Sequence, residues 1–337
     1  MNKNPLKKIE IFDLLKKIKR TKLKKEKISL ANSVGRFLAE NLKSKINLPP
    51  FKNSAVDGYA VLKSDILKRN INLTCKQRIA AGDKTPYKLK KGEAARIFTG
   101  AKVPVNSSTI VMQENVILKK ENIVINKMPS YGENCRLAGE DIKKNQIILK
   151  NRDKINTTNI NLIAAIGKKN VFVRKKINIG YFTSGNELRK PSEKLKDSEI
   201  NNSNYYSLKS LLSKDFISSK YLGNLKDNEK IITKSISKNI DKYNVIITTG
   251  GASVGDEDHL IKIISRLGKI YFWKAAIKPG RPIAIGQIKT TIIICLPGNP
   301  VSVHLLFGMI VYPFLEYLSG GNFLSIEGTI AKTDFTM

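Results

Sequence analysis

The sequence predicts an α/β protein: a three-layer domain on a mostly parallel sheet, a β-rich domain inserted near the N-terminus, and a helical linking domain. Three observations carry this. From about residue 176 to 320, strand-length apolar runs alternate with amphipathic helical stretches, the pattern of a sheet covered on both faces. Between 46 and 139, short runs such as Ile110-Val-Met112 and Ile123-Val-Ile125 alternate with Gly, Pro and Asn turns. Helical spacing flanks that stretch on both sides.

In chain order, Leu6, Ile9, Phe12, Leu15 and Ile18 recur at three- and four-residue intervals, an amphipathic helix with a lysine-rich outer face. A second short helix is expected over 33–42, before Leu48-Pro-Pro50 stops regular structure. A helix over 157–166 closes at Gly167, a C-terminal cap. Strands are expected at 177–181, 245–247, 269–272 and 292–294. Helices are expected at 203–212, where Asn204 supports the first turn, and at 231–240, 260–267 and 300–318. The expected domains are 1–45 plus 140–175 (linking), 46–139 (inserted, β-rich), 176–320 (α/β), and 321–337, the first strand of a further β-domain cut short.

Composition narrows the function classes. There are 60 basic and 28 acidic residues, a net charge of +32. Of the basic residues 49 are Lys and only 11 are Arg, beside 44 Ile and 30 Asn. A chain selected to grip phosphates is richer in Arg, whose planar fork pairs oxygens two at a time. The joint Lys, Ile and Asn excess reads as genome-wide bias. Aromatics, at 7%, show no stacking pattern among the basic residues, so composition argues against a nucleic-acid-binding protein. No run approaches 18 uninterrupted apolar residues, and no apolar block follows the N-terminal lysines, so neither a membrane span nor a secretory signal is expected. Cys75, Cys135 and Cys295 share no metal or redox spacing and fit a reducing cytoplasm. With His259 and His304 the only histidines, zinc chemistry and a Ser-His-Asp triad lack material.

Ligands of such sheets sit at the carboxyl ends of the strands. Thr248-Thr-Gly-Gly-Ala-Ser-Val-Gly255 is small and glycine-rich, so its N–H groups can approach an anion ahead of a helix N-terminus. A ligand-free tight turn uses the same residues, and the Gly-Lys-Ser/Thr ending of a Walker loop is absent. Asp256, Glu257 and Asp258 follow, with Asp227 and Glu187 in other loops of that edge. Such oxygens suit Mg2+ bridging phosphates, and helix capping by Asp256 or Asp258 is the alternative. Lys274-Ala-Ala-Ile-Lys278-Pro-Gly-Arg281-Pro282 sets three cations in a stretch stiffened by Pro279 and Pro282, which lowers the entropy lost on holding an anion. In the insert, Asn53, Ser54 and Asp57 surround a turn ahead of Ile97-Phe-Thr-Gly-Ala101 and Met112-Gln-Glu114; ordinary turn chemistry accounts for each alone.

Together these segments, in this order, resemble the molybdopterin molybdenumtransferase family (MoeA and the gephyrin E-domain) over nearly all of residues 5–320. The resemblance implies a sheet domain of molybdopterin-binding type in an elongated molecule. It implies molybdenum cofactor biosynthesis, in which molybdate is inserted into adenylylated molybdopterin with Mg2+ assisting and AMP released. It also implies a cytoplasmic homodimer in which one subunit's insert completes the other's site. The molybdopterin adenylyltransferase and the recipient molybdoenzymes are the implied protein partners.

Carried over by motif, Asp57 and Thr99 match functional positions of the insert. Glu187, Asp227, Asp258, Lys274 and Lys278 match functional residues of the sheet domain, with Asp227 and Asp258 as Mg2+ ligands. Gly250, Gly251, Ser253, Gly255, Arg281, Pro297, Gly298, Asn299 and Ser302 match the pterin-phosphate surface. Two departures stand out. Asn186 occupies the place of an acid in Ser184-Gly-Asn-Glu-Leu188, and the family's small C-terminal β-domain is represented only by 321–337. A catalytically weakened molybdopterin-binding or scaffold protein of the same fold is therefore the alternative.

Overall fold

This computed structural model describes residues 5–18, 21–67, 72–83, 88–250 and 259–322. The chain divides into two compact units. One comprises Met1–Glu40, Lys150–Asn161 and Lys169–Met337; the other Asn41–Leu149 and Leu162–Lys168.

The first unit is built on a six-stranded sheet. Its strands are β1 (Ile177–Ser184), β2 (Ile217–Leu225), β3 (Val245–Thr249), β4 (Lys269–Trp273), β5 (Ala284–Ile288) and β6 (Thr291–Leu296). They lie in the order β2-β1-β3-β6-β5-β4. The β2-β1, β1-β3 and β3-β6 pairs are parallel, and β5 runs antiparallel between β6 and β4. Alternate residues serve opposite faces, as the pleat requires. Ile179, Tyr181, Val245, Ile247, Ile292 and Ile294 join one buried core, while Phe182, Ile246, Ile293 and Cys295 join the other. Both faces are covered, so the strands read as continuous apolar runs.

Helices α1 (Lys8–Lys17), α2 (Ser203–Leu211) and α5 (Pro300–Leu318, with a π turn at Phe307–Val311) cover the first face. Helices α3 (Glu229–Asn239) and α4 (His259–Leu267) cover the second, through Ile232, Ile236, Leu260, Ile263 and Ile264. The apolar side of α1 is Ile11, Phe12, Leu15 and Ile18, all 2% exposed or less, so the basic N-terminal segment is anchored by its core face. Helix α5 is long and apolar enough to cross a membrane, yet its Val303, Leu306, Phe307, Ile310, Phe314 and Leu318 fill the sheet's core. Lys154 is fastened to α5 by Glu316 Oε1 at 2.7 Å and Tyr312 OH at 2.9 Å.

Two expectations need correction. Residues 33–42 form turns and single bridges instead of a helix; Phe37 pairs with Lys154 and Leu38 with Val173. Gly35 and the buried Phe37 and Leu38 spend the backbone on cross-chain bonds that a helix would have kept internal. Strands β2 and β5 are both absent from the expected set: Ser218, Ser219, Lys220 and Asn224 break up the apolar run of β2, and Gly286 and Gln287 that of β5, whose turn to β6 is Lys289-Thr290. Lys289 takes the left-handed conformation (φ 50) usually given to Asn or Gly.

The second unit is a six-stranded mixed sheet. Its strands, in spatial order, are Thr109–Met112, Gly58–Val61, Glu93–Ile97, Asn72–Ile79, Asn122–Ile125 and Val116–Lys119. Only the pair Asn72–Ile79 with Glu93–Ile97 is parallel. Ala60, Ala95, Ile97 and Ile110 pack on one face, and Tyr59, Val61, Ala94, Val111 and Ile123 on the other.

Candidate functional site

The register of the first unit brings the carboxyl ends of its strands to one level. Ser184 pairs with Leu225, Thr183 with Thr249, Thr249 with Leu296, and Trp273 with Ala284, which pairs with Cys295. The loops that follow are knitted together by backbone. Gly185 N donates to Leu225 O (3.1 Å), and Gly250 N to Leu296 O (3.0 Å). Gly250, at φ +84, lies so close to Ser184 O that a Cβ there would stand 2.5 Å from it. Only glycine fits that approach and that conformation. A Cβ on Gly298 would meet nothing nearer than Gly250 Cα at 3.9 Å. The result is a floor of bare main chain that a ligand's oxygens can approach.

Side chains orient the floor. The buried Asn204 donates to Gly298 O at 2.6 Å, while its Oδ1 is buried with no partner among the described residues. Asn202, not Asn204, caps α2, accepting from Tyr205 N at 3.1 Å and donating to Thr183 Oγ1 at 2.9 Å. Thr248 and Thr249 are buried at the end of β3 with hydroxyls that have no partner among the described residues. Lys190, Pro191, Asn202, Tyr205, Tyr206 and Tyr221 line a cavity of about 390 Å³, in the size range of small-molecule sites. Burial, with Tyr205 and Tyr221 beside it, pushes the Tyr181 phenol up to about 12, so it stays protonated.

Glu187 and Asp227 lie in the loops that follow β1 and β2. The Glu187 carboxylate lies against Gly185, where a Cβ would be 2.4 Å from its Oε2. Asp227 accepts from Asn186 N (3.3 Å) and from Ser184 Oγ (3.5 Å), and its own N–H donates to Asn186 Oδ1 (3.4 Å). These bonds are long, and Asp227 is exposed, so its oxygens keep free lone pairs. At the opposite edge, Lys274 sits at φ +74, a strained conformation held by Lys274 N to Ile283 O (2.9 Å) and Leu6 N to Lys274 O (3.1 Å). Its ammonium lies 4.3 Å from the centroid of the Trp273 ring. Lys278 and Arg281 are exposed on the same turn. Ser302 is buried in α5, whose first turn is capped by Asn299 accepting from Val301 N at 2.9 Å.

Two of the expected groups therefore lie far apart. From β2 to β4 there are five strand spacings of about 4.8 Å, so Asp227 and Lys274 stand on the order of 24 Å apart along the edge. Gly251, Ser253, Gly255 and Asp258, like the segment 323–337, lie outside the described residues. Among the described residues no cluster of three His, Cys, Asp or Glu side chains could hold a metal. Sequence reasoning missed the Asn202 cap and Asn224, which accepts from Thr183 Oγ1 at 3.1 Å and donates to Gly185 O at 2.8 Å; their signal was an amide side chain at a helix start or in a strand.

In the second unit Asp57 and Thr99 are joined. Thr99 N donates to Asp57 Oδ1 at 2.8 Å and Thr99 Oγ1 to the same oxygen at 2.7 Å. The Thr99 N–H, then its hydroxyl, hold the Asp57 carboxyl below the usual range; partial burial opposes them and Arg96 assists. Asp57 is an ordered anion, not a proton donor, at neutral pH.

An open, mostly parallel sheet covered by helices on both faces, with its candidate ligand groups at the carboxyl edge, defines an α/β protein of doubly wound type. Comparison with known proteins narrows the class. Residues 8–167 match the MoeA N-terminal region (domain I and II), and residues 180–317 match a probable molybdopterin binding domain. A molybdopterin molybdenumtransferase of Haemophilus influenzae is 34% identical over 296 residues, 88% of this chain and 73% of that protein. One from Nostoc is 32% identical over 318 residues, 92% of this chain and 73% of its own. The crystal structure of a molybdopterin biosynthesis moeA protein from Pyrococcus horikoshii OT3 superposes with a TM-score of 0.78 at 29% identity, covering 95% of this chain and 80% of that one. The chain belongs to the molybdopterin molybdenumtransferase family, whose work is molybdenum cofactor biosynthesis.

Proposed function

We propose that the chain transfers molybdenum from molybdate to the dithiolene sulfurs of adenylylated molybdopterin, with release of AMP. The observation that carries this reading is the aligned carboxyl edge, with Lys274, Lys278 and Arg281 at one end, Asp227 and Glu187 at the other, and main chain without side chains between them. In this reading Lys274, Lys278 and Arg281 neutralise molybdate and phosphate charge as it concentrates in the transition state. The Gly250 to Ser253 segment and the Pro297-Gly-Asn299 turn would bind the pterin phosphate. Ser302 stands behind the latter, and Asp57 and Thr99 supply a fixed anion from the inserted unit. Asp227, with free hard oxygens, fits Mg2+, which takes one or two carboxylates and completes its shell from substrate phosphate and water. Asp227 and Asp258 would hold it, and it would make AMP a better leaving group.

The same reading includes a cytoplasmic homodimer in which each insert serves the partner's sheet edge. It also includes hand-over from an adenylyltransferase and on to molybdoenzymes. A weakened binding protein is the second reading, favoured by Asn186, a neutral amide where the family pattern offers an acid, which leaves one carboxylate fewer beside Asp227. The test is to mix the purified chain with adenylylated molybdopterin, molybdate and Mg2+. Equal amounts of AMP and molybdenum-loaded pterin are expected. Tight pterin binding with neither product would sink the transferase and leave the binding protein.

A further inference from the structure

The described arginines fall into two groups. Arg36, Arg136, Arg189 and Arg266 each hold a carboxylate, of Glu26, Asp141, Glu199 and Glu229 respectively. Arg152 and Arg174 donate to main-chain carbonyls. Apart from Arg281 at the sheet edge, that leaves Arg78 and Arg96 of the second unit, neither of which forms an ion pair among the described residues. In a chain where 11 of 60 basic residues are Arg, two unpaired guanidiniums side by side are not lysine background.

Their placement follows from the pleat. Asp57 and Tyr59, Arg96 and Phe98, Val111 and Gln113 are pairs two residues apart, and Arg78 is the register partner of Arg96 on the adjacent parallel strand. Tyr59, Arg78, Arg96 and Val111 therefore project from one face of the sheet, which is apolar at Tyr59, Ala94 and Val111, while Asp57, Phe98 and Gln113 lie just past the strand ends. The Phe98 ring backs both guanidiniums, its centroid 4.5 Å from Arg78 Cζ and 5.0 Å from Arg96 Cζ. The Tyr59 ring lies 5.0 Å from Arg96 Cζ. Arg96 Nη2 donates to Gln113 Oε1 at 2.5 Å, which fixes its rotation. Aromatic rings take up guanidinium faces and leave the N–H edges free. Two cations one strand spacing apart repel. Asp57 and Glu114, the latter accepting from Gln113 Nε2 at 3.2 Å, supply compensating charge, and Asp57 Oδ1 already accepts two bonds from Thr99.

We propose that Arg78 and Arg96, backed by Phe98, form an oxyanion clamp in the inserted unit that takes a tetrahedral dianion beside the Asp57–Thr99 pair. The anion is a phosphate ester or free molybdate, two sources of one chemistry. Its identity rests on the proposed function; the clamp itself does not. Each arginine offers two parallel N–H donors, a match for two oxygens of one tetrahedral group that lysine cannot make.

The test is calorimetric titration of the full chain with AMP alone and with sodium molybdate alone. Wild type, Arg78→Gln, Arg96→Gln and Arg96→Lys are compared. Each Gln variant is expected to lose about tenfold in affinity for at least one probe, as expected for a charged hydrogen bond, with Arg96→Lys no better than Arg96→Gln. Loss for AMP assigns a phosphate ester, and loss for molybdate assigns the metal oxyanion. Arg78 is exposed, so the thermal midpoint of Arg78→Gln should match wild type, and its affinity loss cannot be put down to misfolding. Unchanged affinity for both probes, or no binding of either by wild type, overturns the clamp. If the binding losses appear while wild type transfers no molybdenum, the clamp stands and the transferase reading falls.

Discussion

The two units treat their polar residues in opposite ways. Along the sheet edge of the first, groups are left uncommitted. Thr248 and Thr249 hydroxyls lack partners among the described residues, Lys278 and Arg281 point to solvent, and Asp227 makes only long bonds. In the second, Asp57 is tied to Thr99 by two short bonds, and Arg96 is pinned by Gln113 and two rings. An uncommitted edge gains its bonds from the ligand, whereas a pre-tied cluster presents a shape fixed beforehand.

The strongest way to break this contrast is Lys278→Ala. Because Lys278 is exposed, stability should not change, while molybdenum insertion should fall about a hundredfold. Wild-type turnover in that variant would remove the edge from the chemistry. Next is the glycine pair. Gly250→Ala forces a side chain onto Ser184 O at φ +84 and should cost about 2 kcal/mol in urea unfolding. Gly298→Ala, with open space, should stay within about 0.5 kcal/mol of wild type. Equal costs would mean that the floor is not rigid. Smaller again, Asn202→Ala removes the α2 cap and should cost about 1 kcal/mol by the same measurement.

The smallest effect sharpens the other side. Thr99→Val removes the hydroxyl but keeps the N–H, so the Asp57 carboxyl should titrate closer to its ordinary value in a carbon-detected NMR titration. A carboxyl whose folded value is depressed adds stability above its unfolded value and loses it as pH falls through the folded one. Acid sensitivity in that window should therefore diminish in the variant. No movement of the Asp57 titration would show that its charge is set elsewhere.

Much of this was legible in the sequence because period and burial agree. Val245-Ile-Ile247 and Ile292-Ile-Ile294 are apolar on both faces, as covered parallel strands must be. Lys274, Lys278 and Arg281 stood out through their rigid Pro-Gly setting. The illegible parts depend on partners distant in sequence. Residues 33–42 have helical composition but bond to Ile155, Asp153 and Phe172. Arg78 and Arg96 are 18 positions apart and become neighbours only through strand register. Asn202 and Asn204 are equally good caps on paper, and only the Gly298 carbonyl decides between them.

The span of the carboxyl edge has a consequence for turnover. A molecule long enough to be gripped at both the carboxylate end and the lysine end is bound bivalently, and each grip raises the effective concentration of the other. Scission between the grips turns one bivalent ligand into two monovalent ones, and each fragment then escapes at its own, faster rate. On the proposed transfer reaction the sheet's width would act as a ruler that retains whole substrate and sheds its halves, so product inhibition by AMP alone should be weak.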